Sequence, residues 1–286
     1  MPPFSLIQPS TADEAVAALR YGAPGETVVL AGGTDVLSDI EEHRIRATRL
    51  LSLRHLPWKT LLWSGTSLRI GSTLPLRTLE RDAQVRRRIP GLWHAVRAVG
   101  SVTLRHQATI GGNLARSAPT SDLVPILLAL DADVDLIGTR GARHLPVDRF
   151  VRASRSTALE RDELIRSVEI PEARPSAFLW QRVRPANDIS QVGVAVAYSP
   201  SRTTWRIAVG GVLPRPVLLP EAERLLSGPT PAAPEIRAAA QEAAHRAPFA
   251  TDRRATGEYR RHLVAALLAR AVSAATARPP SASGVP

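Results

Sequence analysis

Two short segments set a glycine pair between apolar residues and a polar residue: Leu30-Ala31-Gly32-Gly33-Thr34-Asp35 and Thr109-Ile110-Gly111-Gly112-Asn113. Glycine has no β-carbon, so the chain can pass close to a ligand and turn successive N–H groups toward an anion. A helix starting after such a loop adds a positive end field. With the Thr34 and Thr109 hydroxyls as extra donors, two loops of this kind converging on one diphosphate suit a dinucleotide. Neither is a Gly-x-Gly-x-x-Gly fingerprint, and no Gly-Lys-Ser or Gly-Lys-Thr follows either, which removes kinase and ATPase chemistry.

Other chemistries find less support. There is no cysteine among the 286 residues, so disulfides, thiolate catalysis, cysteine-ligated zinc and iron–sulfur clusters are excluded within the chain. The seven histidines, at 43, 55, 94, 106, 144, 245 and 262, have no metal-ligand spacing. Ser121-Asp122 with His106 lacks the Gly-x-Ser-x-Gly elbow of a hydrolase. The formal charge of +11 comes from scattered arginines, and the denser spots at Arg86-Arg87-Arg88, Arg253-Arg254 and Arg260-Arg261 lack interleaved aromatics or a nucleic-acid motif. An acidic protein partner is the better use for that charge. The start, Met1-Pro2-Pro3-Phe4, reads as free of a leader, and no stretch approaches a membrane span, so a cytoplasmic location is expected.

The elements that must position the loops follow from pattern. Thr11 and Glu14 have capping-box spacing ahead of a helix from Ala12 to Arg20. After a Gly22 to Gly25 turn, Thr27 to Ala31 reads as a buried strand and Thr34 to His43 as a helix. Arg49 to Leu53 is a further strand, and Lys59 to Trp63 with Leu68 to Gly71 form a hairpin around Ser64-Gly65. Thr73 is placed to cap a helix from Leu74 to Arg81, another runs from Gly91 to Val99, and Thr109-Ile110 reads as the end of a strand. An apolar helix covers Leu123 to Leu130, and Asp35 and Asp122 are expected helix caps. Strands follow at Val134 to Ile137, Arg143 to Leu145 and Leu164 to Ile170. Beyond a seam at Pro171 to Pro175 come strands at Ala177 to Val183, Val192 to Tyr198 and Thr203 to Val209. Helices then run from Glu221 to Leu226, Glu235 to His245 and Thr256 to Thr276.

Three segments carry a specific likeness: AGGTD at Ala31 to Asp35, RHQATIGGN at Arg105 to Asn113 and APTSDLVPILLALDADV at Ala118 to Val134. In order and separation they resemble the FAD-binding medium subunits of molybdenum hydroxylases, the family of xanthine dehydrogenase and carbon monoxide dehydrogenase. IGS at Ile70 to Ser72 and LIRSVEIP at Leu164 to Pro171 match weaker landmarks, and the likeness runs from about Phe4 to Leu226. It implies an α+β protein: a PCMH-type FAD-binding fold of two α/β subdomains (about 1–56 and 57–172), a C-terminal domain with an antiparallel sheet and helices (173–276), and a disordered tail (277–286).

The resemblance places FAD contacts at Val29, Leu30, Ala31, Gly32, Gly33, Thr34, Asp35 and Val36, at Thr109, Ile110, Gly111, Gly112 and Asn113, and at Asp122 and Ile165, with Asp122 toward the adenosine half. It assigns no catalytic side chain and no metal ligand here. Molybdenum cofactor and 2Fe–2S clusters are expected on partner subunits, with NAD⁺, dioxygen or a quinone as acceptor. The implied role is an electron-transferring oxidoreductase component, the alternatives being a non-catalytic FAD-binding scaffold or a self-sufficient flavin oxidoreductase. Two departures bear on the flavin. Gln107 stands where relatives usually have Asn, and no Lys lies near Trp180-Gln181, where Arg182, Arg184 or the Asn187-Asp188 loop would have to take its place.

Overall fold

A computed structural model describes residues 3–20, 25–184, 187–212 and 214–277. The expected turn at Gly22 and the tail from Arg278 lie outside them. From the N-terminus run β1 (Ser5–Ile7), α1 (Ala12–Arg20), β2 (Thr27–Leu30), α2 (Val36–Glu41), β3 (Arg49–Ser52), β4 (Leu61–Ser64), β5 (Ser67–Gly71) and α3 (Leu76–Arg81). Next come α4 (Ala83–Arg88), α5 (Pro90–Ala98), α6 (Val102–Arg105), α7 (Ile110–Arg116) and α8 (Leu123–Ala129). Then follow β6 (Asp133–Gly138), β7 (Gly141–Pro146), α9 (Val147–Phe150), β8 (Val151–Ala153), β9 (Ser156–Thr157) and β10 (Glu163–Ile170). The last third holds β11 (Ser176–Gln181), β12 (Val192–Ser199), β13 (Thr204–Gly210), β14 (Val217–Leu218), α10 (Pro220–Glu223), α11 (Ala233–Arg246) and α12 (Gly257–Thr276).

The chain divides into two compact units. One comprises Met1–Thr78, Ser101–Ala118 and Ala132–Pro171, the other Leu79–Gly100, Pro119–Asp131 and Glu172–Pro286. In the first unit a three-stranded parallel sheet has the order β1-β3-β2. Its strands alternate between two cores. Leu51 and Val29 join α1 residues Ala15 and Val16 on one side, and Leu50, Val28 and Leu30 join Ile40 of α2 on the other. Both faces of such a sheet are covered, so the strands read as apolar runs. The α1 capping box forms as spaced, with the Glu14 N–H donating to Thr11 Oγ1 at 3.2 Å and the Thr11 N–H to Glu14 at 3.3 Å. This unit also holds an antiparallel sheet of order β4-β5-β10-β6-β7 and a two-stranded sheet, β8-β9.

The second unit is built on an antiparallel sheet of order β11-β12-β13-β14. Val192, Val194 and Val196 of β12 pack with α11 and α12 residues such as Ala243, Leu268 and Val272. The alternate residues Ala195 and Ala197 are also fully buried, and α5 and α8 pack against this sheet. Helical layers on both faces account for a strand without one polar side.

Several expected boundaries shift. The helix expected from Thr34 to His43 is confined to α2, and the one expected from Leu74 starts at Leu76. Thr73 is not its cap, since its buried hydroxyl finds no partner. Neither Asp35 nor Asp122 caps through its side chain, because both have helical backbone angles instead of the extended ones that aim a cap at the first turn. Thr109-Ile110 is no strand end: Thr109 is the N-cap of α7, and the glycine pair lies in that helix's first turn. The short elements β1, α4, α6, β8 and β9 carry too little periodicity to be read from sequence.

Candidate functional site

The first glycine loop leaves β2 at the edge of the parallel sheet and enters α2. Gly33 sits at φ +77°, in the left-handed region that disfavours a side chain. This bend lets its carbonyl accept the Leu37 N–H at 3.0 Å, while the Asp35 carbonyl accepts the Asp39 N–H at 2.8 Å. Among the described residues, the backbone N–H groups of Gly32, Gly33, Thr34 and Asp35 donate to no acceptor of the chain. A helix start leaves its first N–H groups without intrahelical partners, and here they extend back into the glycine loop as a row of donors for an anion.

The second loop spends its amides differently. The Gly111 N–H donates to the Ser72 carbonyl at 3.1 Å, the Gly112 N–H to Thr109 Oγ1 at 3.1 Å and the Asn113 N–H to the Thr109 carbonyl at 3.0 Å. Gly111 is needed for close approach, since a β-carbon there would stand 2.7 Å from Ser72 Cβ and 2.8 Å from its carbonyl oxygen.

The two loops meet through backbone. A β-carbon on Gly32 would lie 1.9 Å from the Gln107 carbonyl oxygen, so glycine alone lets the first loop rest against the segment leading into α7. A buried carboxylate holds the pair together: Asp39 of α2 receives Arg116 of α7 at 2.5 Å and Arg44 at 2.7 Å. The Arg116 guanidinium beside Asp39 is the largest influence holding that carboxyl below its usual range. Arg116 Nε also lies 3.6 Å from the exposed Asp35 carboxylate. Asp39 and Arg116, which tie the two loops' helices together, are positions that motif reading passed over. The signal was a carboxylate in the apolar stripe of a helix, three residues after Val36 and next to Ile40, where burial demands a partner.

Two further expected contacts are Ile165 and Asp122. Ile165 is in the first unit, but its side chain is buried within β10, opposite Leu136 of β6. Asp122 belongs to the second unit, where it accepts Arg182 at 2.7 Å and Ser190 at 2.5 Å. Burial pushes its carboxyl up, against the opposing pull of Arg182 and Ser190. Arg182 is thereby committed, and it also donates to the Ala98 carbonyl at 2.6 Å. Arg184 is exposed and lies 3.6 Å from Asp188. No group of three or more His, Cys, Asp or Glu positioned to hold a metal ion occurs among the described residues. Nor is any of their helices long and apolar enough to cross a membrane.

A family model of the FAD binding domain in molybdopterin dehydrogenase matches residues 2–173. The chain belongs to this family. Residues 178–275 of this FAD-binding family member match the CO dehydrogenase flavoprotein C-terminal domain. It is 29% identical over 259 residues to a xanthine dehydrogenase FAD-binding subunit of Escherichia coli O157:H7, covering 87% of this chain and 88% of that one. It is 27% identical over 279 residues to the nicotine 6-hydroxylase medium subunit of Paenarthrobacter nicotinovorans, covering 91% and 98%. A solved carbon monoxide dehydrogenase structure from Hydrogenophaga pseudoflava superposes with a TM-score of 0.88 at 27% identity, covering 97% and 98%. The fold is therefore the α+β, PCMH-type FAD-binding fold with its C-terminal flavoprotein domain. The residues fit the cofactor: the unpartnered amides from Gly32 to Asp35 offer what a diphosphate accepts.

Proposed function

We propose that this chain is the FAD-binding, electron-transferring component of a molybdenum hydroxylase complex. Its partners are an iron–sulfur subunit, which delivers electrons, and a molybdenum-cofactor subunit, which oxidises the substrate. The observation that carries this reading is the row of free amides at Gly32, Gly33, Thr34 and Asp35 within an FAD-binding family member. The absence of cysteine supports the division of labour, because the clusters of such a complex need thiolate ligands from another chain.

In this reading the Gly32–Asp35 amides hold the diphosphate, Val29 to Ala31 and Val36 line the strand end and helix start beside it, and Thr109 to Asn113 brace the loop from behind. Asp39 and Arg116 fix the spacing between the two. Asp122 remains a contact toward the adenosine half, since each of its carboxylate oxygens keeps acceptor capacity beyond its bond to Arg182 or Ser190, and Ile165 supports the site by packing. FAD, when bound, supplies the ability to collect electrons singly and release them in pairs to an acceptor such as NAD⁺. The protein's own work is to orient the cofactor and shield its diphosphate from water.

Absorbance after incubation with FAD and gel filtration tests the binding. One FAD per chain, retained without a covalent bond, is expected, and a chain that emerges without flavin bands overturns the reading. Anaerobic bleaching by purines, aldehydes and N-heterocycles tests the relay. The complete complex should bleach with one of these classes while the isolated chain stays oxidised, and rapid bleaching of the isolated chain would show a self-sufficient oxidoreductase.

A further inference from the structure

The Arg86-Arg87-Arg88 run has no part in the glycine-loop site, and its setting in the second unit gives it a separate use. The segment Leu79–Gly100 carries five Arg (81, 86, 87, 88, 97) against two acids, Glu80 and Asp82. Asp82 is spent at the N-terminus of α4, where its carboxylate accepts the Val85 N–H at 2.8 Å. At the other end, the basic triplet in the last turn of α4 is favoured locally by the helix dipole.

That local reason does not explain what α5 adds. Trp93 is half-buried, its indole N–H donates to the Glu80 carbonyl at 2.8 Å, and this fixes the ring on the surface. Two exposed guanidiniums then gather on it, Arg86 at 5.0 Å and Arg97 at 4.5 Å from the ring centroid. Among the described residues neither Arg86 nor Arg87 forms an ion pair. His94 beside them is pushed down first by burial and then by the fields of Arg97 and Arg86. The exposed charges of Arg86 and Arg87 thus have no ion pair among the described residues, and an opposing anion would be attracted to them.

Stacked guanidiniums present planar forks that match carboxylates two bonds at a time. Arg and Trp are also the residues that most often anchor protein–protein interfaces, whereas no nucleic-acid motif accompanies them here. We propose that the α4–α5 face bearing Arg86, Arg87, Trp93 and Arg97 docks a carboxylate-rich patch on a partner polypeptide. The proposal rests on the reading that this chain works within a heteromeric complex.

The test uses the complete complex, purified from its native source through a tag on this chain. Wild type should hold its partner chains at low salt and lose them about tenfold more readily near 0.5 M salt, where the screening length falls to roughly 4 Å. The variant Arg86→Glu/Arg87→Glu/Arg97→Glu should hold them about 10- to 100-fold more weakly at low salt, with FAD content and thermal unfolding unchanged. A control of equal charge change at exposed positions, Arg46→Glu/Arg152→Glu/Arg161→Glu, should keep them. Equal retention by the first variant, or equal loss by the control, overturns the docking surface and leaves the proposed function standing. If the triple variant fails to fold, Arg87→Glu alone decides: roughly threefold weaker retention supports the surface, and none overturns it. Wild type that carries FAD but no partner at any salt overturns both readings.

Discussion

The first glycine loop leaves four successive amides, Gly32 to Asp35, without an acceptor, while the second donates the amides of Gly111, Gly112 and Asn113 to Ser72 and Thr109. Both have a Gly-Gly pair beside apolar residues, and their amides are used differently. In the proposed reading the first loop serves the ligand. The second donates to its own chain and serves the first, with Gln107 just upstream supplying the surface against which Gly32 rests. A glycine pair therefore reports that backbone must come close to something, and only the fold says whether that something is a ligand or another strand of the same chain.

Substitutions can break or sharpen this contrast. The largest effect belongs to Gly32→Ala, whose new methyl would sit 1.9 Å from a carbonyl oxygen of backbone that is anchored on both sides. Parting the two loops should cost about 3 kcal/mol and abolish FAD retention. Denaturant unfolding with the flavin-to-protein ratio checks both, and a stable, flavin-loaded variant would mean the loops do not depend on this contact.

Asp39→Asn comes next, because it weakens the buried tie from α2 to Arg116 and Arg44. A loss of about 2 kcal/mol is expected at neutral pH, with weaker FAD binding. The pH dependence has a definite sign. A carboxyl held below its unfolded value, about 3.9, stabilises fully above that value and loses the contribution as pH falls through its folded value. The stability gap between wild type and Asp39→Asn should thus be steady from pH 7 to about 5 and close below about 4. A gap that widens in acid would assign the effect to another group.

Gly33→Ala and Gly112→Ala form the most direct test of the comparison. Gly33 has φ +77°, and a methyl there would meet the Leu30 and Leu37 side chains at 3.1 Å, so roughly 1–2 kcal/mol of strain and a clear loss of FAD affinity are expected. At Gly112 the only neighbour within 4 Å is Thr109 Oγ1 at 3.1 Å. Alanine also favours a helix over glycine by about 1 kcal/mol, so stability should hardly change and FAD affinity should fall less than for Gly33→Ala. Equal losses, measured by flavin fluorescence titration, would show that the second loop also faces the cofactor.

The smallest expected effect is that of Thr109→Ala, which removes the hydroxyl that accepts the Gly112 N–H. About 1 kcal/mol of stability should go with that cap, with little change in FAD affinity. If FAD were lost as completely as in Gly32→Ala, the Thr109 hydroxyl would belong to the ligand and the second loop would not be a brace.

Much of this was legible from residue order alone. The capping box at Thr11 and Glu14, the apolar run from Thr27 into the glycines and the largely apolar β12 specify their elements locally, because hydrogen-bond reach and side-chain periodicity act over a few residues. The family likeness lay in AGGTD and TIGGN for the same reason: contiguous backbone forms each loop. Tertiary structure decided the rest. That Gly111-Gly112 opens a helix rests on the Ser72 carbonyl, 39 positions upstream in the numbering. That Asp122 pairs with Arg182 and Ser190 depends on partners 60 and 68 residues away. Arg116 and Asp39, 77 residues apart, set the spacing of the two loops. Which acceptor a donor finds is a property of chain segments brought together by core packing, and no local pattern encodes that choice.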